Sequence, residues 1–281
     1  MKVSLITTLF NEKQNILAFL DSYKNQSRFA DEFIILDGGS NDGTISIIKD
    51  FILENKELNI RLIVDETCNK SMTRSPVAKG RNVAINNASF DLIAVTDAGC
   101  KLHKNWLKEM IEPFISQDID VVSGGYKAII TNKFQEMYSK VAMINFETEN
   151  SKNFLPSSRS IAFKKKCWSQ VNGYPTKTYT AEDTIFAINL KNKNFNFYLN
   201  VNAIVYWECP KTITEALKKN YHYASGDGAN QIFFYKFLVR FFFLLFPINI
   251  IINKHKRENM SLAYMLMVAY QCGYLKGLLW R

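Results

Sequence analysis

The sequence predicts an α/β protein: a central, mostly parallel sheet flanked by helices, with a helical C-terminal extension. Three observations predict it. In roughly the first hundred of 281 residues, short apolar runs alternate with stretches carrying apolar residues at helical spacing. Acidic residues stand where several of those runs end. From Thr212 onward every pattern is helical. Strands separated by helices imply parallel pairing through right-handed crossovers.

Val3–Thr8 reads as a buried strand, and Gln14–Tyr23 carries a helical stripe. Phe33–Leu36 is a second apolar run, ending at Asp37-Gly38-Gly39-Ser40-Asn41-Asp42-Gly43-Thr44, and Thr44–Leu53 is the next helix. Ile60–Val64 is a third strand. Ser75 followed by Pro76 is a helix start, with Ser as N-cap and Pro at the first helical position; that helix runs to about Asn87. Leu92–Thr96 is a fourth strand, ending at Asp97. After Val121–Gly125 the pattern becomes mixed. Lys133–Phe146 and Glu182–Leu190 read as helices, Ser160–Phe163, Phe195–Leu199 and Ala203–Tyr206 as strands, and Ser261–Trp280 as a last apolar helix. Pro210 and Ser225-Gly226-Asp227-Gly228 are the expected seams, giving a catalytic region of 1–228 and a helical region of 229–281.

A net charge of +9, from 35 basic against 26 acidic residues, attracts phosphates: nucleic acid, anionic headgroups or nucleotides. The basic residues are spread along the chain and no nucleic-acid motif accompanies them, so nucleic acid is not an expected partner. Five scattered cysteines form no Cys-x-x-Cys pair, which argues against a disulfide framework or zinc site. The N-terminus enters a strand directly, without a signal-peptide layout, so the catalytic part is expected in the cytoplasm.

The chemistry concentrates in carboxylates where a strand or loop meets a helix: Glu12, Asp37, Asp97 and the pair Glu182-Asp183. In open α/β sheets, ligands bind outside the carboxyl ends of the strands. Carboxylates at one edge can hold a cation on a diphosphate, hydrogen-bond a base or ribose, or deprotonate a hydroxyl. Each can also be a helix cap. No Ser-His-Asp or Cys-His nucleophile set is visible.

Five segments in this order resemble the inverting glycosyltransferases of family 2: Val3–Glu12 with its Asn11-Glu12, Asp37–Thr44, Lys79-Gly80-Arg81-Asn82-Val83-Ala84, Thr96-Asp97-Ala98-Gly99, and Thr180-Ala181-Glu182-Asp183. The resemblance covers residues 3–228 and implies the GT-A fold, a Rossmann-like sheet. It implies that Asp37 contacts the base or ribose of a nucleotide-sugar, with Thr8 and Glu12 nearby. Lys79 and Arg81 would neutralise the diphosphate or position Asp37. Asp183 would be the general base that takes the proton of an acceptor hydroxyl, with Glu182 beside it, in one displacement that inverts the sugar. Trp168, Tyr174 and Trp207 flank the acceptor-side segments, where aromatic faces can stack on sugars. Ser157-Ser158-Arg159-Ser160 could supply donor or acceptor contacts, or be a polar loop.

One departure concerns the metal. The family's Asp-x-Asp motif implies a divalent cation, Mn²⁺ or Mg²⁺, yet its second carboxylate is here Gly99. Asp97 is then the expected ligand, with His222 or Asp227 as a second.

In the tail, Ile232–Ile252 is rich in Phe, but Lys236, Arg240, Pro247 and Asn249 interrupt it. Spanning a membrane takes about 20 mostly apolar residues. Basic residues beside an aromatic face, followed by Lys254-His255-Lys256-Arg257, fit a helix lying in the headgroup layer of an acidic membrane. Packing on the catalytic region or another subunit is the competing reading. Gly273 and Gly277 stand at a spacing that permits close helix contact. The expectation is a transferase that moves a sugar from a nucleotide-diphospho-sugar to a glycan or lipid-linked acceptor, peripheral on the inner face of the cell membrane. A nucleotidyltransferase acting on a sugar phosphate, or a non-enzymatic basic binding protein, are the alternatives.

Overall fold

The computed structural model describes residues 1–144, 146, 154–178, 180–246 and 248–279. Asn145, Pro247 and Trp280, which the sequence reading placed in or beside helices, lie outside the described residues. The chain divides into two compact units. The first comprises Met1–Lys127, Phe146–Lys177 and Glu182–Trp207; the second comprises Ala128–Asn145, Thr178–Ala181 and Glu208–Arg281.

The first unit opens with β1 (Val3–Leu9), α1 (Ile16–Lys24), β2 (Glu32–Asp37), α2 (Thr44–Glu54), β3 (Ile60–Val64), α3 (Pro76–Asn86) and β4 (Leu92–Val95). These are the strands and helices expected from the apolar runs. β1 pairs in parallel with both β2 and β4, and β2 with β3. Fully buried parallel strands need apolar residues on both faces. Accordingly Val3, Leu5, Phe33 and Ile35 join one core layer with Phe19 and Leu20 of α1, while Ile6, Ile34 and Leu36 join another with Ala84 and Ile85 of α3. At roughly 1.5–3 kcal/mol for each large side chain removed from water, these layers hold the sheet between its helices.

Beyond β4 the sheet turns mixed. β5 (Cys100–Leu102), α4 (Trp106–Ser116), β6 (Val121–Ile129), β7 (Ile161–Lys164), α6 (Lys165–Gln170), α7 (Glu182–Asn192) and β8 (Phe197–Glu208) follow, with α5 (Lys133–Ala142) between β6 and β7. The described strands form one eight-stranded sheet in the order β3-β2-β1-β4-β7-β6-β8-β5. β7 runs antiparallel to both β4 and β6, and β5 antiparallel to β8. The "mostly parallel" expectation therefore holds for the half that ends at β4. The two strands expected at 195–199 and 203–206 are one strand of 12 residues. Ser75 does stand at the N-cap of α3, yet its hydroxyl caps nothing and is buried without a partner among the described residues.

The second unit is helical: α5, α8 (Ile213–Ala229), α9 (Phe234–Leu245), α10 (Ile248–Ile252), α11 (Lys254–Glu258) and α12 (Met260–Leu279). Ser225–Gly228, expected as a seam, lies inside α8. Its glycines let α8 and α12 cross with backbones nearly touching. A Cβ on Gly228 would stand 2.1 Å from the Tyr274 carbonyl oxygen, one on Gly273 2.2 Å from that of Tyr221, and one on Gly277 2.0 Å from that of Ser225. The close contact expected of Gly273 and Gly277 is thus made with α8. α8, which the sequence reading grouped with the catalytic region, clusters with the helical unit. Phe237 of α9 stacks on Tyr274 at 4.4 Å, whereas Tyr235, Leu238, Val239, Phe241 and Phe242 are exposed. Among the described residues no helix is long and apolar enough to cross a membrane.

Candidate active site

The candidate site lies in the first unit, at the carboxyl edge of its parallel strands. β1, β2 and β4 are neighbours, so the residues just beyond their ends share one edge. Asp37 closes β2 and is fully buried. Its Oδ1 accepts hydrogen bonds from the amides of Gly39 (2.8 Å) and Ser40 (2.6 Å). Its Oδ2 is buried with no partner among the described residues. A buried carboxylate oxygen is costly to leave unpaired, so this one is an acceptor that a ligand's donor group would satisfy.

The turn around Asp37 is cross-linked to the turn after β1. The Asn11 amide donates to Ser40 Oγ (2.7 Å), the Asn41 amide to Asn11 Oδ1 (3.0 Å), the Glu12 amide to Thr44 Oγ1 (2.9 Å) and the Lys13 amide to Asp42 Oδ2 (3.1 Å). Asp42 also accepts from the Thr44 amide at 3.0 Å, supporting the start of α2. Glu12 is spent locally, accepting from Asn15 Nδ2 at 3.1 Å. Thr8 is half-buried and turns towards α3: a Cβ on Gly80 would lie 3.1 Å from its methyl and 2.9 Å from Leu36 Cδ2. The absent side chain at Gly80 lets α3 lie against the sheet and delivers the next residue, Arg81, into the site.

Arg81 is the hub. It is buried (4% exposed), donates from Nη2 to Asp97 Oδ1 (2.8 Å) and from Nη1 to Glu182 Oε1 (3.2 Å), and lies over the Tyr174 ring at 5.2 Å. Burial opposes its charge, but Asp97 foremost, then Tyr174, Glu182 and Asp183, hold the guanidinium protonated beyond its usual range. Burial pushes the Glu182 carboxyl upward; Arg81 pulls against it, and the charge of Asp183 adds to the rise. Arg81 thus joins the end of β4 to the start of α7, and it pairs with neither Asp37 nor Lys79's surroundings. Lys79, two residues away on the helix, faces the loop carrying Asp65 and Cys68.

Glu182 and Asp183 open α7, where acidic side chains favour the helix dipole. Ala181, just before them, holds φ at +69°, a conformation that a Cβ disfavours. Asp183 accepts from the Thr184 amide at 2.9 Å and, at 3.4 Å, from the Ser157 hydroxyl. It is only half-buried. Arg159, in a segment the sequence reads as donor or acceptor contacts or a polar loop, lies near the rings of Tyr126 (4.8 Å) and Trp207 (4.7 Å), which meet edge to face, with Nε 3.8 Å from Asp97 Oδ2. The Thr96 hydroxyl donates to the Arg159 carbonyl at 2.9 Å and ties the loop to the end of β4.

Other expected residues serve the scaffold. Trp168 donates its indole N–H to Asn82 Oδ1 (2.9 Å), which also accepts from the Tyr174 amide (2.8 Å). Tyr174 is buried, stacks on Phe186 at 4.0 Å and shares a hydrogen bond with Ser158. Burial lifts the Cys68 and Cys167 thiols to about 11, so neither is a thiolate nucleophile at neutral pH. The metal expectation meets a poor donor set. A hard cation takes several oxygens, but both oxygens of Asp97 face arginines, and among the described residues no group of three His, Cys, Asp or Glu is arranged to hold an ion. His222 lies in the other unit on an exposed stretch of α8, and Asp227 accepts from Tyr270 at 3.0 Å.

Comparison with known proteins shows the family and the fold. A family model described as "Glycosyl transferase family 2" matches residues 4–167. The chain is 22% identical over 229 residues to glycosyltransferase AglE of Haloferax volcanii, covering 80% of this chain and 72% of the relative. It is 23% identical over 246 residues to a dolichyl N-acetyl-α-D-glucosaminyl phosphate 3-β-D-2,3-diacetamido-2,3-dideoxy-β-D-glucuronosyltransferase of Methanococcus voltae, covering 80% and 73%. Its fold matches a mannosyltransferase of Pyrobaculum calidifontis, solved with GDP-Man and Mn²⁺, with a TM-score of 0.68 at 16% identity over 98% of this chain and 87% of that one.

Proposed function

Because the chain belongs to glycosyl transferase family 2, we propose that it moves a sugar from a nucleotide-diphospho-sugar to a hydroxyl of a glycan or lipid-linked glycan, inverting the anomeric centre. The observation that carries this reading is the double ion pair of Arg81 with Asp97 and Glu182. It supports treating the donor-side edge of the sheet and the start of α7 as one site. The unpartnered Oδ2 of Asp37 supports a nucleoside contact at the far end, where a ribose hydroxyl or a base N–H would donate to it. A glycosyltransferase complex with GDP-Man on the same fold supports a nucleotide-sugar donor, and the relative that acts on a dolichyl phosphate supports a lipid-linked acceptor.

Asp183 is the base in this reading. Its half-buried carboxylate is held by one amide and one hydroxyl, which leaves oxygen lone pairs for an acceptor hydroxyl. That hydroxyl's proton passes to Asp183 as its oxygen bonds to the anomeric carbon, and the bond to the departing phosphate oxygen breaks on the opposite face. One displacement inverts configuration and needs no nucleophilic side chain. Glu182, tied to Arg81, keeps Asp183's turn in place.

The exposed apolar residues of α9 and the basic run Lys254–Arg257 support a membrane surface as a partner, with the catalytic part on its cytoplasmic side. The test of the base is Asp183→Asn. Transfer should fall by about 10²–10⁴-fold while nucleoside diphosphate binding, read by thermal shift, stays as in the parent. Full transfer by a folded variant would remove Asp183 from the role.

A further inference from the structure

We infer that the base of the donor is guanine, selected by the carboxylate of Glu66. The inference rests on the proposed nucleotide-sugar reading and names the nucleoside that this site takes. It starts from the segment beyond β3, which lies against the turn that holds Asp37. The Asp65 amide donates to the Asp37 carbonyl oxygen at 2.9 Å, and Asn69 Nδ2 donates to that of Gly38 at 3.1 Å. Gly39, whose amide holds Asp37 Oδ1, has φ at +84°, and a Cβ on it would stand 2.7 Å from Glu66 Cγ. The stem of Glu66 therefore fills the space that a side chain at Gly39 would take, which sets its carboxylate beside the Asp37 turn. Phe10 borders the same turn: a Cβ on Gly38 would lie 3.5 Å from Phe10 Cδ2, and the Phe10 ring is 40% exposed.

The polar groups on either side of Glu66 are already engaged. Asp65 Oδ1 accepts from the Thr67 amide at 3.0 Å and from its hydroxyl at 2.6 Å, and Asn69 Oδ1 accepts from the amide and hydroxyl of Ser71. Glu66, by contrast, is exposed and its carboxylate has no hydrogen bond or ion pair among the described residues. At the same turn stands the fully buried Asp37, whose Oδ2 also has no partner among them. An ionised carboxylate only accepts, so whatever meets these groups must donate. The two oxygens of one carboxylate match two N–H groups side by side. Among the common nucleobases guanine alone has that edge, its N1–H next to its 2-amino group. Uracil and thymine have a single N–H between carbonyl oxygens, which would face Glu66 with like partial charge. Adenine and cytosine set their amino group beside a bare ring nitrogen, which repels a carboxylate in the same way. Glu66 thus takes the guanine edge, Asp37 accepts a further donor of the same nucleoside, and the Phe10 ring offers a face on which the purine stacks.

The experiment titrates the purified full chain by calorimetry, in excess Mg²⁺, with GDP, UDP, dTDP, ADP, CDP and with IDP, which is GDP without the 2-amino group. GDP should bind about tenfold or more tightly than IDP and than each of the others. Glu66→Ala should weaken GDP by about tenfold or more, narrow the gap between GDP and IDP to within about threefold, and leave UDP within about threefold of the parent. A parent that prefers UDP, dTDP, ADP or CDP, or that binds GDP and IDP alike, would overturn the inference and leave the glycosyltransferase reading intact. So would a folded Glu66→Ala variant that keeps the parent's ratio of GDP to IDP affinity. Failure of a folded parent to bind any of the six ligands would instead overturn the donor site itself, and this inference with it.

Discussion

At the scale of single residues, the site is a set of charges whose partners decide their roles. Arg81 was legible in the sequence as a functional cation, but its partners were not: the run Lys79-Gly80-Arg81 says nothing about which carboxylates, 16 and 101 residues away, it will meet. Arg159 was harder still, because the rings beside it, Tyr126 and Trp207, are brought together only where β6 and β8 become neighbours in the sheet. Asp37 was readable as a candidate because it ends an apolar run before a glycine-rich turn, and the fold places it, buried, at the end of β2. Glu182 yields a prediction. Burial raises its pKa in the folded protein, so the folded state holds a proton that the unfolded chain releases, and stability falls as pH rises above the ordinary carboxylate value of about 4.3. Glu182→Gln keeps an acceptor for Arg81 and removes the titration. Thermal melts should therefore show the variant gaining on the parent as pH rises from acid to neutral; a constant difference across that range would refute the assignment.

At the scale of elements, what the sequence revealed depended on how much of the signal was local. β1, β2 and β4 are buried on both faces and β3 is a short, half-buried edge strand, yet each announced itself as an apolar run between helices. β6 and β8 did not, since their half-buried patterns mix polar and apolar residues, and the turn-like Asn200-Val201-Asn202 split β8 into two apparent strands. Ser225–Gly228 misled for a different reason. Glycine punctuates most chains, but here it clears space for a helix crossing. At Gly277, alanine would favour the isolated helix by about 1 kcal/mol, yet its methyl would meet the Ser225 carbonyl oxygen at 2.0 Å and the Ala229 nitrogen at 2.6 Å. Backbone atoms cannot step aside cheaply. Gly277→Ala should therefore destabilise the protein by about 1–3 kcal/mol, read as a lower midpoint in urea; an unchanged midpoint would mean that the helices do not cross this closely in solution.

At the scale of the whole molecule, a net charge of +9 accompanies an exposed apolar stripe at Tyr235, Leu238, Val239 and Phe242, residues spaced to share one face of α9. Arg240 does not interrupt that face, because its guanidinium lies over Tyr270 at 4.7 Å within the helical unit. The overall class was legible from these features, although which apolar residues point outward was not. The full chain should co-sediment with vesicles containing anionic phospholipid and less with neutral ones. Leu238→Glu with Phe242→Glu should reduce that binding by about tenfold or more, as should high salt to a smaller degree. Equal binding by parent and double variant would assign the stripe to protein packing.

The cross-linked turns around Asp37 bear on turnover. Four hydrogen bonds join the segments after β1 and β2, so the wall that the proposed reading sets against the nucleoside is already assembled without a ligand. In the proposed reaction the nucleoside is the part of the donor that leaves unaltered. Whatever this wall contributes, it contributes equally to substrate and to spent nucleotide, which lowers KM without lowering the chemical barrier. Rigid recognition of the handle thus makes departure of the nucleoside diphosphate a natural bottleneck, and makes that product a competitor of its own donor.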